Sequence, residues 1–139
     1  MTTATDTTQA ILQELLSRLA RFEPAPVAEL FADTVDWDVP GDERVPWTGR
    51  RSTRDEVEAY FESLWSVCDT SQTDNEVSHV LVDGADAVVL GAFTQTIRAT
   101  GRRFTTPVAV HITVDDGRIT RLHLYEDSHA VARAYADEG

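Results

Sequence analysis

The second half of this chain is a run of alternating segments cut by glycine turns, and few folds accommodate it. Glu76–Val82, Ala87–Ala99, Arg103–Val114 and Arg118–Tyr125 alternate apolar with polar residues and are rich in Val, Thr and Ile. That is the pattern of half-buried strands. Asp83-Gly84, Thr100-Gly101 and Asp115-Asp116-Gly117 separate them. Turns this short join only antiparallel neighbours. The result is a meander with one apolar face that needs a cover.

The first half supplies the cover. Ile11, Leu12, Leu15, Leu16, Leu19 and Phe22 fall at helical spacing, which predicts a helix over Thr8–Phe22 with Thr7 or Thr8 as its cap. Glu23-Pro24-Ala25-Pro26 breaks it, and Val27–Phe31 reads as a short second helix. Val35–Val39 alternates like a strand and stops at Pro40-Gly41. Asp42–Arg51 reads as a loop. A third helix starts at Ser52 or Thr53, with Glu56 completing a capping box, and its apolar face is Val57, Tyr60, Phe61, Leu64 and Trp65. Ser128–Ala136 reads as a short helix or a tail. Helix, helix, strand, helix and meander make an α+β chain with helices on one face of a curved sheet.

Composition narrows the function. At 139 residues and 42% hydrophobic, the chain is one domain, 1–139, with residues 1–7 expected to form a flexible tail. A net charge of −12 argues against nucleic acid as a partner. No run reaches the ~18 apolar residues of a membrane helix, so no membrane partner is expected. Met1–Gln9 has neither the basic nor the apolar region of a signal peptide, and a cytoplasmic location is expected. All 12 basic residues are arginine, which removes every mechanism that needs a lysine. Cys68, the one cysteine, reads as a small buried hydrophobe. His123, Asp127 and His129 are too scattered by strand spacing to predict a metal, and neither metal nor cofactor is expected.

Register predicts which residues share a face. A three-residue Asp115–Gly117 loop opposes Val110 to Leu122 and Val108 to Leu124; a two-residue Thr100-Gly101 turn opposes Ile97 to Phe104. One face then collects Val89, Phe93, Ile97, Phe104, Val108, Val110, Ile112, Leu122 and Leu124. Gln95, Thr106 and Glu126 join it as a polar trio that could hydrogen-bond a carbonyl. The other face collects Thr94, Thr96, Ala109, His111, Arg121, His123, Tyr125 and Asp127. A β-bulge near Tyr125 would exchange Glu126 and Asp127.

Several short motifs then fall into a familiar order: Phe31-Ala32-Asp33, Val35-Asp36-Trp37-Asp38-Val39-Pro40-Gly41, Pro46-Trp47-x-Gly49, Ala99-Thr100-Gly101-Arg102, Asp116-Gly117-Arg118-Ile119 and Tyr125-Glu126-Asp127-Ser128. Over roughly Thr8 to Ala134 the chain resembles the SnoaL-like branch of the NTF2-like superfamily. The resemblance implies a cone: three N-terminal helices packed on a strongly curved antiparallel sheet around a deep pocket. Relatives include polyketide cyclases, ketosteroid isomerase, limonene-epoxide hydrolase and scytalone dehydratase. It also implies a homodimer through the outer sheet face. In SnoaL-like cyclases an aspartate near the end of the last strand is the acid/base, helped by a histidine on the preceding strand; Asp127 and His111 match. The isomerase base register holds Val39 here, with Asp38 one residue earlier. Arg98, flanked by Thr96 and Thr100, lacks the carboxylate partner of the epoxide hydrolase pair.

The expected site follows. Asp127, His111 and Tyr125 are the catalytic candidates: a carboxylate with a raised pKa, an imidazole and a phenol able to stabilise an enolate oxygen. Trp37, His123, Gln95, Trp47 and Trp65 are the substrate-binding candidates, since an aromatic-lined pocket suits a flat apolar ligand. Asp36 and Asp38 are expected to face solvent, opposite Trp37. The expected partner is a small hydrophobic, carbonyl-bearing molecule. The expected chemistry is cofactor-free cyclisation, isomerisation or dehydration. The alternative is a binding or dimerisation module of the same fold without catalysis.

Overall fold

A computed structural model describes residues 3–136. The elements are α1 (Ala4–Leu19), α2 (Pro24–Ala28), β1 (Phe31–Val39), β2 (Gly49–Thr53), α3 (Arg54–Val67), β3 (Asp74–Asp83), β4 (Asp86–Thr96), β5 (Arg103–Asp115), β6 (Arg118–Glu126) and α4 (Ser128–Tyr135). The sheet runs β2-β1-β6-β5-β4-β3. All neighbours are antiparallel except β1 and β6, which are parallel. The sheet is curved and unclosed, and the α+β cone of the NTF2-like fold is what results. No helix among the described residues is long and apolar enough to cross a membrane.

Three local expectations change. The first helix starts at Ala4, so residues 4–7 are helical rather than part of a tail; residues 1 and 2 lie outside the described residues. Thr3 caps it through a reciprocal pair with Asp6. Its first turns are tied down at a distance: Thr8 Oγ donates to the Gly84 carbonyl at 2.8 Å, and Thr5 Oγ accepts from Gly84 N–H at 3.1 Å. The end of the predicted loop, from Gly49, becomes strand β2, which pairs Arg51 with Trp37. The second helix is Pro24–Ala28 rather than Val27–Phe31, because its prolines sit in the first turn where no N–H is needed, and Phe31 instead opens β1.

Both predicted registers are wrong by two residues, yet the residues that stay in the strands keep their faces; Ile97 and Asp127, expected on the inner and outer faces, lie just beyond β4 and β6. The β5–β6 turn is two residues, Asp116 and Gly117, both at positive φ (52° and 74°). Alone it would invert the faces. A bulge where Thr113/Val114 meets Ile119/Arg121 adds one residue and restores them, giving Val110 opposite Leu124 and Ile112 opposite Leu122. The β4–β5 connection is also longer than predicted, with Gln95 opposite Phe104 and Thr106 opposite Phe93. Parity of two leaves the inner face apolar.

Helices α1, α3 and α4 cover that inner face. Trp37 is 1% exposed and packs its ring against Phe31, Tyr60 and Phe61 at centroid distances of 5.8, 4.6 and 5.9 Å. Thr53 caps α3 by accepting from Glu56 N–H, while Glu56 accepts from Ser52 N–H. That cap sets where Tyr60 and Phe61 meet Trp37. Gly91 is required where β3 bulges over β4, because a Cβ there would overlap the Glu76 carbonyl oxygen. Cys68 is fully buried and its thiol is pushed up to about 12 by burial, so it is an inert packing residue.

Candidate active site

A cavity of about 260 Å³ lies between the inner sheet face and the helices. Leu15, Leu16 and Leu19 of α1, Tyr60, Phe61, Leu64 and Trp65 of α3, and Val131 of α4 form one wall. Val89, Phe93, Val110, Ile112, Leu122 and Leu124 form the sheet wall, with Trp37 and Trp47 beside them. Asn75, Gln95, Thr106 and Glu126 are the polar groups of the sheet wall.

Glu126 is the last residue of β6 and opposes Val108. Alternation sends its side chain inward, after Leu122 and Leu124. The next residue leaves the strand. Asp127 N–H donates to Thr106 Oγ at 2.8 Å, and Asp127 Oδ1 accepts from Ala130 N–H at 3.1 Å, capping α4. Thr106 and the cap thus pin the backbone on the C-terminal side of Glu126. The Glu126 carboxyl itself forms no hydrogen bond or ion pair with the described residues. Burial, aided by the Asp127 charge, pushes its pKa from 4.5 up to about 7. A carboxyl so placed holds or releases a proton near neutrality.

Tyr60 stands on the opposite wall, within reach of that charge: burial first, then the charge of Glu126, raises the pKa of its phenol. It stays a protonated donor. The Arg51 guanidinium carbon lies 5.7 Å from the centre of the Tyr60 ring. Gln95 has its Oε1 held by the Thr73 hydroxyl at 2.8 Å, and its amide borders the cavity.

Of the residues expected at the site, Trp37, Trp47, Trp65 and Gln95 line the cavity. Asp127, His111, Tyr125 and His123, expected to serve the site, do not line it. Asp127 is exposed and caps α4, because the bulge formed at the β5–β6 turn and not near Tyr125. Tyr125 is 58% exposed on the outer face. His111 and His123 oppose each other across β5 and β6 on that same face. His111 Nε2 sits 3.0 Å from Asp86 Oδ1, and His123 Nε2 sits 2.9 Å from Asp36 Oδ1. Asp36 also accepts from Arg121 Nε at 3.1 Å, and Arg50 approaches Asp38 at 3.7 Å. Asp36 and Asp38 therefore lie outward, as alternation from Trp37 requires.

Glu126 and Tyr60 are the groups that site reasoning from sequence passed over. Face parity had already set Glu126 among apolar residues with Gln95 and Thr106. Tyr60 was counted only as part of an apolar helix face. A wider cleft of about 620 Å³ opens between the end of α3, the β4–β5 connection and α4. Its carboxylate, Asp42, is held by Arg44 at 2.7 Å, which lowers its pKa to about 2. The smaller cavity is the one with an unpartnered carboxyl.

Residues 12–122 match the SnoaL-like domain family. The chain belongs to that family. No curated protein matches. Solved structures match over nearly the whole chain. An NTF2-like protein from Burkholderia xenovorans is 20% identical, covers 95% of this chain and 98% of its own, and superposes with a TM-score of 0.83. TerC, co-crystallised with polyporic acid, is 15% identical over 92% of this chain and 97% of its own, with a TM-score of 0.79. An LEH-like epoxide hydrolase from M. tuberculosis is 17% identical over 94% and 90%, with a TM-score of 0.73. These likenesses show the fold.

Proposed function

We propose that the protein is a cofactor-free acid–base enzyme acting on a small, apolar, carbonyl-bearing molecule. One observation carries the reading: an unpartnered carboxyl, Glu126, with a pKa of about 7, in an apolar aromatic cavity. Glu126 as carboxylate takes a proton from the carbon next to the carbonyl. The Tyr60 hydroxyl donates to the carbonyl oxygen as it gains charge, and so stabilises the enolate. The proton held on Glu126 then returns to another carbon, completing an isomerisation, or leaves with a departing hydroxyl as water, completing a dehydration. Cyclisation uses the same enolate as a carbon nucleophile. The protein is read as cytoplasmic, and as a homodimer through the outer sheet face, where Leu81 and Tyr125 are 55% and 58% exposed.

The test needs no knowledge of the natural substrate. Exchange of the α-protons of 2-tetralone, a fused bicyclic ketone, is followed by NMR in D₂O. The protein is expected to accelerate exchange, and Glu126→Gln to slow it by ~10²-fold or more. No acceleration, or an unchanged rate in the variant, overturns the acid–base reading. The second reading is a binding module without catalysis. It is favoured by the cavity volume, about 260 Å³, which falls just under the ~300 Å³ lower bound of common ligand pockets. Binding of 2-tetralone without exchange would select it.

A further inference from the structure

The polar side chains of the sheet wall are not equally engaged. Thr106 Oγ accepts from Asp127 N–H and donates to the Pro107 carbonyl at 3.0 Å, so its one proton is already taken. Gln95 is only half engaged. Its Oε1 accepts from the Thr73 hydroxyl at 2.8 Å, while its Nε2 has no hydrogen-bond partner among the described residues. The buried side-chain atoms that are unpartnered and also sealed from water are Trp37 Nε1 and Arg51 Nε, and Gln95 Nε2 is not one of them. Gln95 is 6% exposed, and the cavity is the space it borders. The structure leaves a buried amide donor open to whatever occupies that space.

The amide is held in one sense. Thr73 follows a single helical turn, Thr70–Gln72, and its N–H donates to the Thr70 carbonyl at 3.3 Å. That turn is tied to β4: Asp69 N–H donates to the Thr96 carbonyl at 2.8 Å, and Thr96 Oγ donates to Gln72 Oε1 at 3.4 Å. The Thr73 hydroxyl is therefore fixed beside the strand that carries Gln95. By donating to Oε1 it keeps the oxygen on its own side and leaves the NH₂ for the cavity.

Gln95 is also a different group from the acid–base pair. It lies on β4 opposite Phe104, whereas Glu126 lies on β6 opposite Val108. Strand β5 runs between them, and the two positions are four residues apart along it. No hydrogen bond among the described residues joins Gln95 to Glu126. Tyr60, on α3, is the donor within reach of the Glu126 charge.

We infer that Gln95, fixed as a donor by Thr73, selects ligands that carry a second acceptor oxygen, separated from the reacting carbonyl by an apolar body. The inference rests on the cavity being the ligand site proposed above. It makes Gln95 a specificity-determining residue and Thr73 a positioning residue. A ligand without that oxygen leaves the amide unmet. One that has it gains a bond to a donor that is already buried and already oriented.

The test is a binding cycle with trans-2-decalone, trans-decalin-2,6-dione and trans-decalin-2,7-dione. All share one bicycle, and the diones add a carbonyl that accepts and cannot donate. Gln95→Leu keeps much of the side-chain volume and removes the amide. Calorimetric titration is expected to show the variant binding the tighter dione ~10-fold more weakly than wild type, and trans-2-decalone within ~2-fold. Thr73→Val is expected to weaken the dione selectively as well, and Thr73→Ser to restore it. Equal losses for one ketone and two would mean that Gln95 only packs or serves the reacting carbonyl, and overturn the inference. So would no loss for either, or failure of every probe to bind wild type. Undiminished dione binding in Thr73→Val would remove Thr73 from the account. Wild-type protein gives an independent reading should a variant not fold. The Gln95 side-chain amide protons are expected to move downfield with the dione and not with trans-2-decalone; identical responses overturn the inference. None of these readouts uses turnover. Loss of proton exchange with dione selectivity intact would sink the acid–base reading and leave this one standing, and exchange without dione selectivity would do the reverse.

Discussion

The two faces of one sheet treat their carboxylates in opposite ways. On the outer face, Asp36 is met by His123 and Arg121, and Asp86 by Thr113 and His111. Their pKa values fall below the usual 3.8 because these hydrogen bonds favour the charged form. On the inner face Glu126 has no partner, and burial drives its pKa up. Strand alternation alone separates these environments: Tyr125 points out and Glu126 points in. A carboxylate already satisfied by its neighbours has little left to offer a substrate. One that is buried and unsatisfied is held for something else.

The sharpest way to break the comparison is to exchange the roles of neighbouring carboxylates. Glu126→Gln is expected to cost ~10²-fold or more in ketone proton exchange. Asp127→Asn keeps an oxygen to cap α4 and is expected to change exchange by less than ~3-fold. A large loss in Asp127→Asn with an unaltered fold would move the chemistry to the strand end.

The pH dependence of stability tests the inner face without any substrate. The pKa of Glu126 is raised, from 4.5 to about 7. Below 4.5 it is protonated folded and unfolded, and the burial carries no charge penalty. Between 4.5 and 7 the unfolded chain ionises while the folded one does not, so this contribution to stability falls as pH rises and levels off above 7. The upper limit is roughly 3 kcal/mol. Urea denaturation at pH 5 and pH 8 measures it, and Glu126→Gln should flatten the trend across that window. The same slope in the variant would place the titration elsewhere.

How much of this was legible in the sequence depends on what parity alone can settle. Helices, strands and the identity of each face follow from periodicity, and two register errors of two residues left the inner set intact. Periodicity does not say which residue at a strand end is the last to obey it. Glu126 still alternates, whereas Asp127 has turned to cap α4, and that depends on a hydrogen bond between Asp127 N–H and Thr106, 21 residues apart. The family pattern suggested an aspartate at the strand end, and the residue before it points inward here. Trp37 was legible as an inward residue between outward carboxylates. Its lack of an acceptor was not, since that depends on every ring around it.

Thr106 connects the two environments, and removing its hydroxyl should sharpen the comparison at smaller cost. Thr106→Val preserves shape but leaves Asp127 N–H without its acceptor. The expected destabilisation is about 1–2 kcal/mol by chemical denaturation. Ketone exchange should fall ~10-fold, because the backbone that aims Glu126 loses an anchor. Full activity in Thr106→Val would show that strand pairing to Val108 suffices to aim the carboxyl.

The outer face should yield the smallest effect and the opposite pH trend. The Asp36 and Asp86 pKa values are lowered, so their contribution is present above the usual carboxylate range and is lost as pH falls through the folded values. Both side chains are about half exposed, at 43% and 56%. Solvent screening therefore limits each pair to below ~1 kcal/mol. His123→Ala is expected to cost that little at pH 7 and to leave 2-tetralone binding unchanged by calorimetry. A loss well above 1 kcal/mol, or a weakened cavity, would show that the outer network braces β1 against β6 beneath Trp37. The two faces would then be mechanically one, and a carboxylate satisfied on the outside would still shape the chemistry within.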